Sequence, residues 1–165
     1  MHDTDARLTP RGRKLRAAMS AEAIFAMQRS RGWAPPVLHL AECEGLELRI
    51  TAQCEGGLVL DQTDPFGAGD HWGFALEGVD PSVSITKVAI AKDDQKALVL
   101  TLNAPLTGPQ PVLCYAANQA SSNEGFKENV GALWDDFEPA MHHDLSAEDL
   151  SLLRRWALPA RLPIK

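Results

Sequence analysis

The chain has 165 residues, 45% of them hydrophobic, which suffices for one packed core and excludes an intrinsically disordered chain. No run of 18 apolar residues occurs and the charged N-terminus lacks an apolar signal-peptide region, so neither a membrane span nor a signal peptide is expected. The net charge of −6 is unevenly distributed: residues 1–36 carry seven Lys or Arg and three Asp or Glu, whereas residues 37–165 carry nine and nineteen. Because residues 37–165 are so acidic, this part of the chain is not expected to bind nucleic acid.

The first predicted element is a helix over residues 10–31. Thr9 suits its N-cap, and Pro10 suits its first position, where the missing N–H is no loss. Apolar residues recur at helical spacing from Leu15 to Met27, and Pro35 and Pro36 prevent any continuation. The basic charge of this segment suits an acidic partner, or simply a solvated helix face.

After residue 36 the hydrophobic period changes from helical to alternating. Leu46, Leu48 and Ile50 alternate with charged residues, which is typical of a half-buried strand. The clearest signal is in residues 83–105, where two alternating apolar runs flank a turn at 93–95 and predict a β-hairpin with one buried face. A further strand is predicted over residues 111–119.

The remaining residues carry a long loop and a short helix. Residues 120–145 are predicted to be loop, Ser146 caps a short helix through residue 155, and two prolines favour an extended final segment. Short strands separated by Gly and Pro predict a mainly-β fold. We expect an antiparallel β-sandwich of immunoglobulin or jelly-roll type over residues 37–165, preceded by an α-helical arm over residues 1–36.

Three cysteines match no zinc or redox spacing. The simplest interpretation is small buried thiols in a reducing compartment, with a Cys43–Cys54 bridge as the alternative.

The opening residues carry a resemblance to a known family. The stretch "LTPRG", Leu8 to Gly12, resembles the last block of the SGNH (GDSL-like) hydrolases, which opens the final helix of their α/β domain. Arg7 stands where that family has its catalytic His, and arginine cannot act as a general base. Residues 96–119 and 153–165 resemble the β-sandwich appended to sialate-esterase-like members of the family.

The resemblance implies the tail end of such an esterase, without its nucleophile and with no catalytic residue or cofactor of its own. Short proteins of this kind are similar to spike or fibre proteins of tailed phages and gene transfer agents, which bind host capsule. The helix would then lack the sheet it packs on in the family, and a bare apolar stripe marks an interface. We expect contacts with further copies, or with a partner spike or capsid subunit, through Leu15, Met19, Ala23 and Met27. A helix packed back onto its own sandwich is the alternative.

Two predicted loops, around 61–73 and 120–145, combine tryptophan with acidic and amide side chains. A sugar ring stacks on an aromatic plate while planar acceptors bind its hydroxyls, and loops cluster at the ends of sandwiches. The candidate carbohydrate-binding residues are Trp72, His71, Asp70, Trp134, Asp135, Asp136 and Asn129. The alternative is that both tryptophans fill the core at sheet edges.

Metal binding and independent catalysis are not expected. Asp61, Asp64 and Asp70 match no EF-hand spacing, although calcium stays an alternative, and the adjacent histidines at 142–143 point to opposite faces of an extended segment. A triad of Ser121 or Ser122 with His143 and Asp136 would lack a nucleophile elbow.

These interpretations combine into one functional hypothesis. The chain is expected to be a non-catalytic attachment component of a phage-like particle that binds cell-surface polysaccharide, made in the cytoplasm and displayed on the particle after release. The alternatives are the C-terminal part of a split SGNH esterase completed by a partner chain, and a purely structural adaptor.

Overall fold

A computed structural model describes residues 9–29, 32–64, 67–117, 130–136, 145–146, 148–149 and 153–165. The elements in chain order are α1 (Pro10–Gln28), β1 (Val37–Glu44), β2 (Glu47–Gln53), β3 (Leu58–Leu60), β4 (Phe74–Glu77), β5 (Ile85–Ile90), β6 (Ala97–Leu102), β7 (Val112–Tyr115), β8 (Leu133–Asp135), β9 (Arg155–Trp156) and β10 (Ala160–Pro163). The expected fold class is confirmed: the protein is mainly β, with three antiparallel sheets consistent with a sandwich and an N-terminal helical arm.

The chain divides into two units, which we call the helical unit and the sheet unit. The helical unit comprises Met1–Ala34 and Phe137–Arg155, and the sheet unit comprises Pro35–Asp136 and Trp156–Lys165. Leu145 and Leu153, which the sequence analysis assigns to the sandwich, therefore belong with the helix.

Helix α1 begins where the sequence predicts and ends a little earlier. The Thr9 hydroxyl accepts a hydrogen bond from the Gly12 N–H at 3.1 Å, which confirms the predicted N-cap. The helix ends at Gln28, and the Arg29 N–H still bonds back to the Phe25 and Ala26 carbonyls; residues 30–31 of the predicted helix lie outside the described part. No helix among the described residues is both long and apolar enough to span a bilayer.

The apolar stripe of α1 packs within the helical unit. Leu15 is 4% exposed and packs with Ala18 and Leu153, while Met19 and Leu145 lie against this cluster. The covering segment is fastened to the start of the helix by Arg11, which pairs with Glu148 at 2.7 Å and Asp149 at 2.5 Å. The Ser146 hydroxyl accepts from the Asp149 N–H at 3.1 Å, as expected of a helix cap, but the predicted helix does not reach residue 155, because Arg155 begins β9.

The expected interface residues of α1 are thus in different environments. Leu15 and Met19 are covered by the chain's own residues, and Ala23 is half-buried. Met27 is 73% exposed and Ile24, one turn before it, is 58% exposed.

The strands pair in sheets of order β1-β2-β6-β5, β10-β7-β4 and β3-β8-β9. The predicted hairpin is confirmed as β5 and β6, with Val88 opposite Leu100. Strand β7 is shorter than the predicted 111–119, and residues 118–119 lie outside the described part. Alternation explains the packing, because every second residue of β2 and β6 enters one core: Leu48, Ile50, Ala52, Leu98, Leu100 and Leu102.

The first two sheets are joined through the last described residues. Strand β10 pairs with β7, which confirms the extended segment expected there, and Ile164 then forms a parallel bridge with Ala41 of β1. The Lys165 N–H donates to the Ala41 carbonyl at 3.0 Å, and the Cys43 N–H donates to the Lys165 carbonyl at 2.8 Å. Residues 164–165 therefore cover the edge of β1 that does not pair with β2, at Ala41 and Cys43.

Candidate functional site

The two predicted loops adjoin in the sheet unit. The Ala132 N–H donates to the Trp72 carbonyl at 3.2 Å, and the Ala132 carbonyl accepts from the Asp61 N–H at 2.8 Å. A single residue before β8 thus binds both ends of the segment that runs from Asp61 to Trp72. We call this region the tryptophan edge and define it as described residues 61–64, 67–73 and 130–136.

Trp72 is a packed anchor of this edge. Its indole Nε1 donates to the Asp61 carbonyl at 3.2 Å, and its half-buried ring lies against the main core. Its φ of +49° lies in the left-handed region, and Gly73 follows with φ of +88°, where a Cβ would come within 2.3 Å of the Val130 carbonyl oxygen. These contacts match the alternative interpretation of Trp72 as a core-filling side chain.

The acidic residues before Trp72 organise their own loop. The Asp61 carboxylate accepts from the N–H and hydroxyl of Thr63, at 2.8 Å and 2.6 Å. The two oxygens of Asp64 accept from the N–H groups of Ala68 and Gly69, at 2.6 Å and 3.0 Å. These oxygens are already satisfied by local donors, and in the described part of the chain no three His, Cys, Asp or Glu side chains group as metal ligands would.

Asp70 and His71 lie at the surface of the same turn. Asp70 is exposed and His71 is half-buried, and the His71 carbonyl accepts from the Phe74 N–H at 2.9 Å. The Trp72 N–H also donates to the Gly69 carbonyl at 3.0 Å, so two successive hydrogen-bonded turns carry these side chains.

Strand β8 separates three of the expected residues by alternation. Leu133 and Asp135 are buried, at 0% and 1% exposure, whereas Trp134 between them points to the other face and is half-buried, with its indole nitrogen inside. Asp136 at the strand end is exposed. Asn129, the remaining candidate, lies outside the described residues.

Both aspartates bind the turn that precedes β3. Asp135 accepts from the Gly56 N–H at 3.3 Å, and Asp136 accepts from the Gly57 N–H at 2.6 Å. The buried carboxylate of Asp135 is therefore a structural group, while Asp136 keeps an exposed position beside Trp134. The tryptophan edge accordingly presents Asp70, His71, Trp134 and Asp136 to a ligand, with Trp72 and Asp135 holding the frame.

A concave surface that was not predicted from the sequence lies on the outer face of the first sheet, away from the tryptophan edge. An open cleft of about 630 Å³ there is lined by Glu42, Cys43, Glu44, Glu47, Arg49, Val99 and Lys165. The charged residues that alternate along β1 and β2 could have indicated this surface, but above they indicate only that the strands are half-buried. We call this surface the acidic cleft.

The guanidinium of Arg49, which lines the acidic cleft, pairs with two aspartates outside the cleft lining. It lies 3.0 Å from Asp93 and 3.9 Å from Asp94, in the turn between β5 and β6. The hydrogen bond to Asp93 raises the pKa of Arg49 and lowers the pKa of Asp93. Both groups therefore stay charged over the whole ordinary pH range.

Comparison of the chain with protein-family models, with curated proteins and with solved structures finds no match.

Proposed function

We propose that this protein is a non-catalytic attachment component that binds cell-surface polysaccharide through the tryptophan edge. The observation that carries the proposal is the pair of hydrogen bonds at Ala132, which holds the Trp72 turn beside strand β8. An aromatic plate and several polar side chains thereby share one edge, which is the combination that sugar recognition requires.

Trp134 is the proposed stacking residue. It is half-buried, with its indole nitrogen inside, and it points away from the face of β8 that buries Leu133 and Asp135. Because the indole nitrogen of Trp134 is buried, the ring has little rotamer freedom left to lose when a sugar stacks on its outer part. Asp70 and Asp136 supply carboxylate acceptors for hydroxyl groups, and His71 supplies a donor or an acceptor.

The particle to which such a component would belong is suggested by the resemblance at Leu8 to Gly12. On that basis we propose display on a phage-like particle, as a spike or fibre subunit. Individual sugar contacts of this size are weak, and repetition of the site on a particle or oligomer gains avidity without any new contact.

The test is binding of the full chain to an array of bacterial surface polysaccharides, followed by titration of the best ligand by tryptophan fluorescence. Trp134→Ala should weaken binding by about tenfold or more, because the stacking surface is lost. Asp70→Ala and His71→Ala should each weaken it by a smaller factor.

Trp33→Ala is the matched control, since it makes the same substitution at a half-buried tryptophan far from the edge in sequence and should leave binding unchanged. Circular dichroism of each variant checks folding. Absence of binding to every polysaccharide on the array, or equal weakening by Trp134→Ala and Trp33→Ala, would overturn the proposal.

A further inference from the structure

The tryptophan edge carries charge of one sign. Its described residues include five aspartates and one histidine but neither lysine nor arginine: Asp61, Asp64, Asp70, Asp135, Asp136 and His71. The sequence of the two predicted loops has the same bias, because residues 61–73 and 120–145 together contain nine Asp or Glu and one Lys. The proposed glycan site is therefore acidic.

Hydrogen bonds within the edge do not cancel this charge. Asp64 accepts from two backbone N–H groups of its own loop, and Asp136 accepts from the Gly57 N–H. An amide donor is neutral, so each carboxylate keeps its negative charge while it orders the backbone. Asp70 and Asp136 are exposed, so their charge acts directly on a bound ligand.

The arginines beside strand β8 are too few to balance the edge. Arg155 begins β9, the neighbour of β8 in its sheet, and is 3% exposed. Arg154 before it is half-buried. Counted in full, these two positive charges offset fewer than half of the five aspartates.

The turn between β5 and β6 adds no net charge. It adjoins the start of β3, because the Leu58 N–H donates to the Gln95 carbonyl at 2.8 Å. The Lys96 ammonium donates to the Cys54 carbonyl at 2.8 Å, in a turn that also holds exposed Glu55. The charged residues of the β5–β6 turn are two of each sign: Lys92, Lys96, Asp93 and Asp94. With these residues, Glu55 and the three neighbouring arginines at 49, 154 and 155 included, eight acidic and five basic side chains leave a net charge of −3.

Carboxylates favour one class of sugar group and oppose another. A sugar hydroxyl donates to a carboxylate, and such a charge-assisted hydrogen bond is stronger than a bond between neutral groups. A carboxylate, phosphate or sulfate on the sugar would instead lie against Asp70 or Asp136, with no cation among the described residues of the edge to pair with it. Like charges brought together at an interface oppose binding.

From this charge distribution we infer that the tryptophan edge selects polysaccharides that lack acidic groups. The inference rests on the proposed function and adds the class of sugar that the site takes. Stacking on Trp134 is indifferent to the charge of the sugar, so the aspartates at 70 and 136 make the distinction. Chains rich in uronate, sialate, phosphate or sulfate are excluded by repulsion.

The first experiment measures the charge at Trp134 without any glycan. Tryptophan fluorescence of the full chain is quenched by iodide, caesium and neutral acrylamide, and subtraction of the Trp134→Phe signal isolates Trp134. Relative to free N-acetyltryptophanamide, iodide should quench Trp134 about twofold or more less effectively than caesium. Added inert salt should reduce this difference. Asp70→Asn combined with Asp136→Asn, which keeps one oxygen acceptor at each position, should reduce it without salt.

Glu44→Gln combined with Glu47→Gln is the matched control. It removes two exposed carboxylates of the acidic cleft, away from the edge, and should leave the quenching of Trp134 unchanged. Circular dichroism checks the folding of every variant. Equal normalised quenching of Trp134 by iodide and caesium would overturn the inference.

The second experiment tests the sugar class itself. Every neutral polysaccharide that the chain binds on the array is oxidised at C6 to its uronate form, and both forms are titrated. The uronate form should bind about tenfold or more weakly, and this loss should shrink in high salt and in the Asp70→Asn, Asp136→Asn variant. A loss that neither salt nor the variant changes would arise from the shape of the sugar rather than its charge, and it would contradict the inference.

The array separates failure of this inference from failure of the proposed function. Binding of acidic polysaccharides as tightly as neutral ones would overturn the selectivity while supporting a glycan site. Binding of no polysaccharide would refute the proposed function and the selectivity with it, whatever charge the quenching experiment finds at Trp134.

Discussion

The phenolic hydroxyl of Tyr115 accepts a hydrogen bond from the backbone N–H of Leu133, 3.0 Å away in the buried interior of the sheet unit. Tyr115 lies on β7 and Leu133 begins β8, so this bond joins two different sheets beside the tryptophan edge. The ring of Tyr115 is 1% exposed and tilts against Phe74 at a centroid distance of 4.8 Å. The position of β8, and hence of Trp134, depends on this contact.

Tyr115→Phe should lower the free energy of unfolding by about 1–3 kcal/mol. The substitution keeps the ring but leaves a buried N–H without an acceptor. Urea unfolding followed by tryptophan fluorescence measures the change. Thr86→Val is the control, because it removes an exposed hydroxyl that donates to the Thr101 carbonyl at 3.0 Å and should cost much less. Equal effects of the two substitutions would refute the assigned role.

Gly131→Ala should destabilise the sheet unit by about 1–3 kcal/mol through overpacking. A Cβ at this position would lie 2.2 Å from the Tyr115 hydroxyl oxygen and 2.3 Å from Cζ, and the buried ring has no room to move. The same unfolding experiment applies. Gly57→Ala is the matched control, because its Cβ would meet chiefly the flexible end of exposed Gln95, at 3.1 Å. A neutral Gly131→Ala would contradict the packing described here.

Local signals explain the elements that the sequence predicts well. The helix start is specified by residues 9–12 alone, with Thr9 as the cap and Pro10 at the first position. The alternation through Leu98 and Leu100 likewise specifies a strand with one buried face. Such signals depend on neighbours in sequence, so the helix start and the β5–β6 hairpin could be read without the fold.

Contacts between distant residues explain what the sequence left out. Leu15 is covered by Leu153, which is far away in sequence, and no local pattern identifies that partner. Likewise, alternation predicts that Asp135 shares a face with Leu133. The buried Asp135 carboxylate is tolerated because it accepts a hydrogen bond from the Gly56 N–H, and Gly56 lies in a turn some eighty residues earlier in the chain. Two of the seven candidate carbohydrate-binding residues, Trp72 and Asp135, therefore have structural roles that only the fold reveals.

Thr9→Ala should destabilise the helical unit by about 1 kcal/mol. The Thr9 hydroxyl satisfies the Gly12 N–H, one of the amides that a helix start leaves without an intrahelical acceptor. Thermal loss of the circular-dichroism signal at 222 nm reports the change. Ser20→Ala is the control, since the Ser20 hydroxyl donates to the Arg16 carbonyl inside the helix and alanine has the higher helix propensity. Equal losses from both substitutions would argue against the cap.

Stability of the sheet unit should fall in mildly alkaline solution because of Cys114. This thiol is 0% exposed, and its pKa is raised from 9.0 to about 11. Burial is the main cause, and the hydrogen bond to Glu77 is the second. The unfolded thiol loses its proton above pH 9 while the folded thiol keeps it, so the unfolded state binds fewer protons and is favoured as pH rises. Below pH 9 both states are protonated and the effect vanishes.

Urea unfolding of the wild type and of Cys114→Ala between pH 8 and pH 10.5 measures this contribution. The wild type should lose stability more steeply with pH than the variant, whatever the difference in their absolute stabilities. Thiol labelling gives an independent check, because Cys114 should react with iodoacetamide only at the rate at which the sheet unit opens, whereas half-buried Cys43 should react in the folded protein. Parallel stability profiles, together with rapid labelling of Cys114 in native conditions, would show that its thiol is neither buried nor shifted.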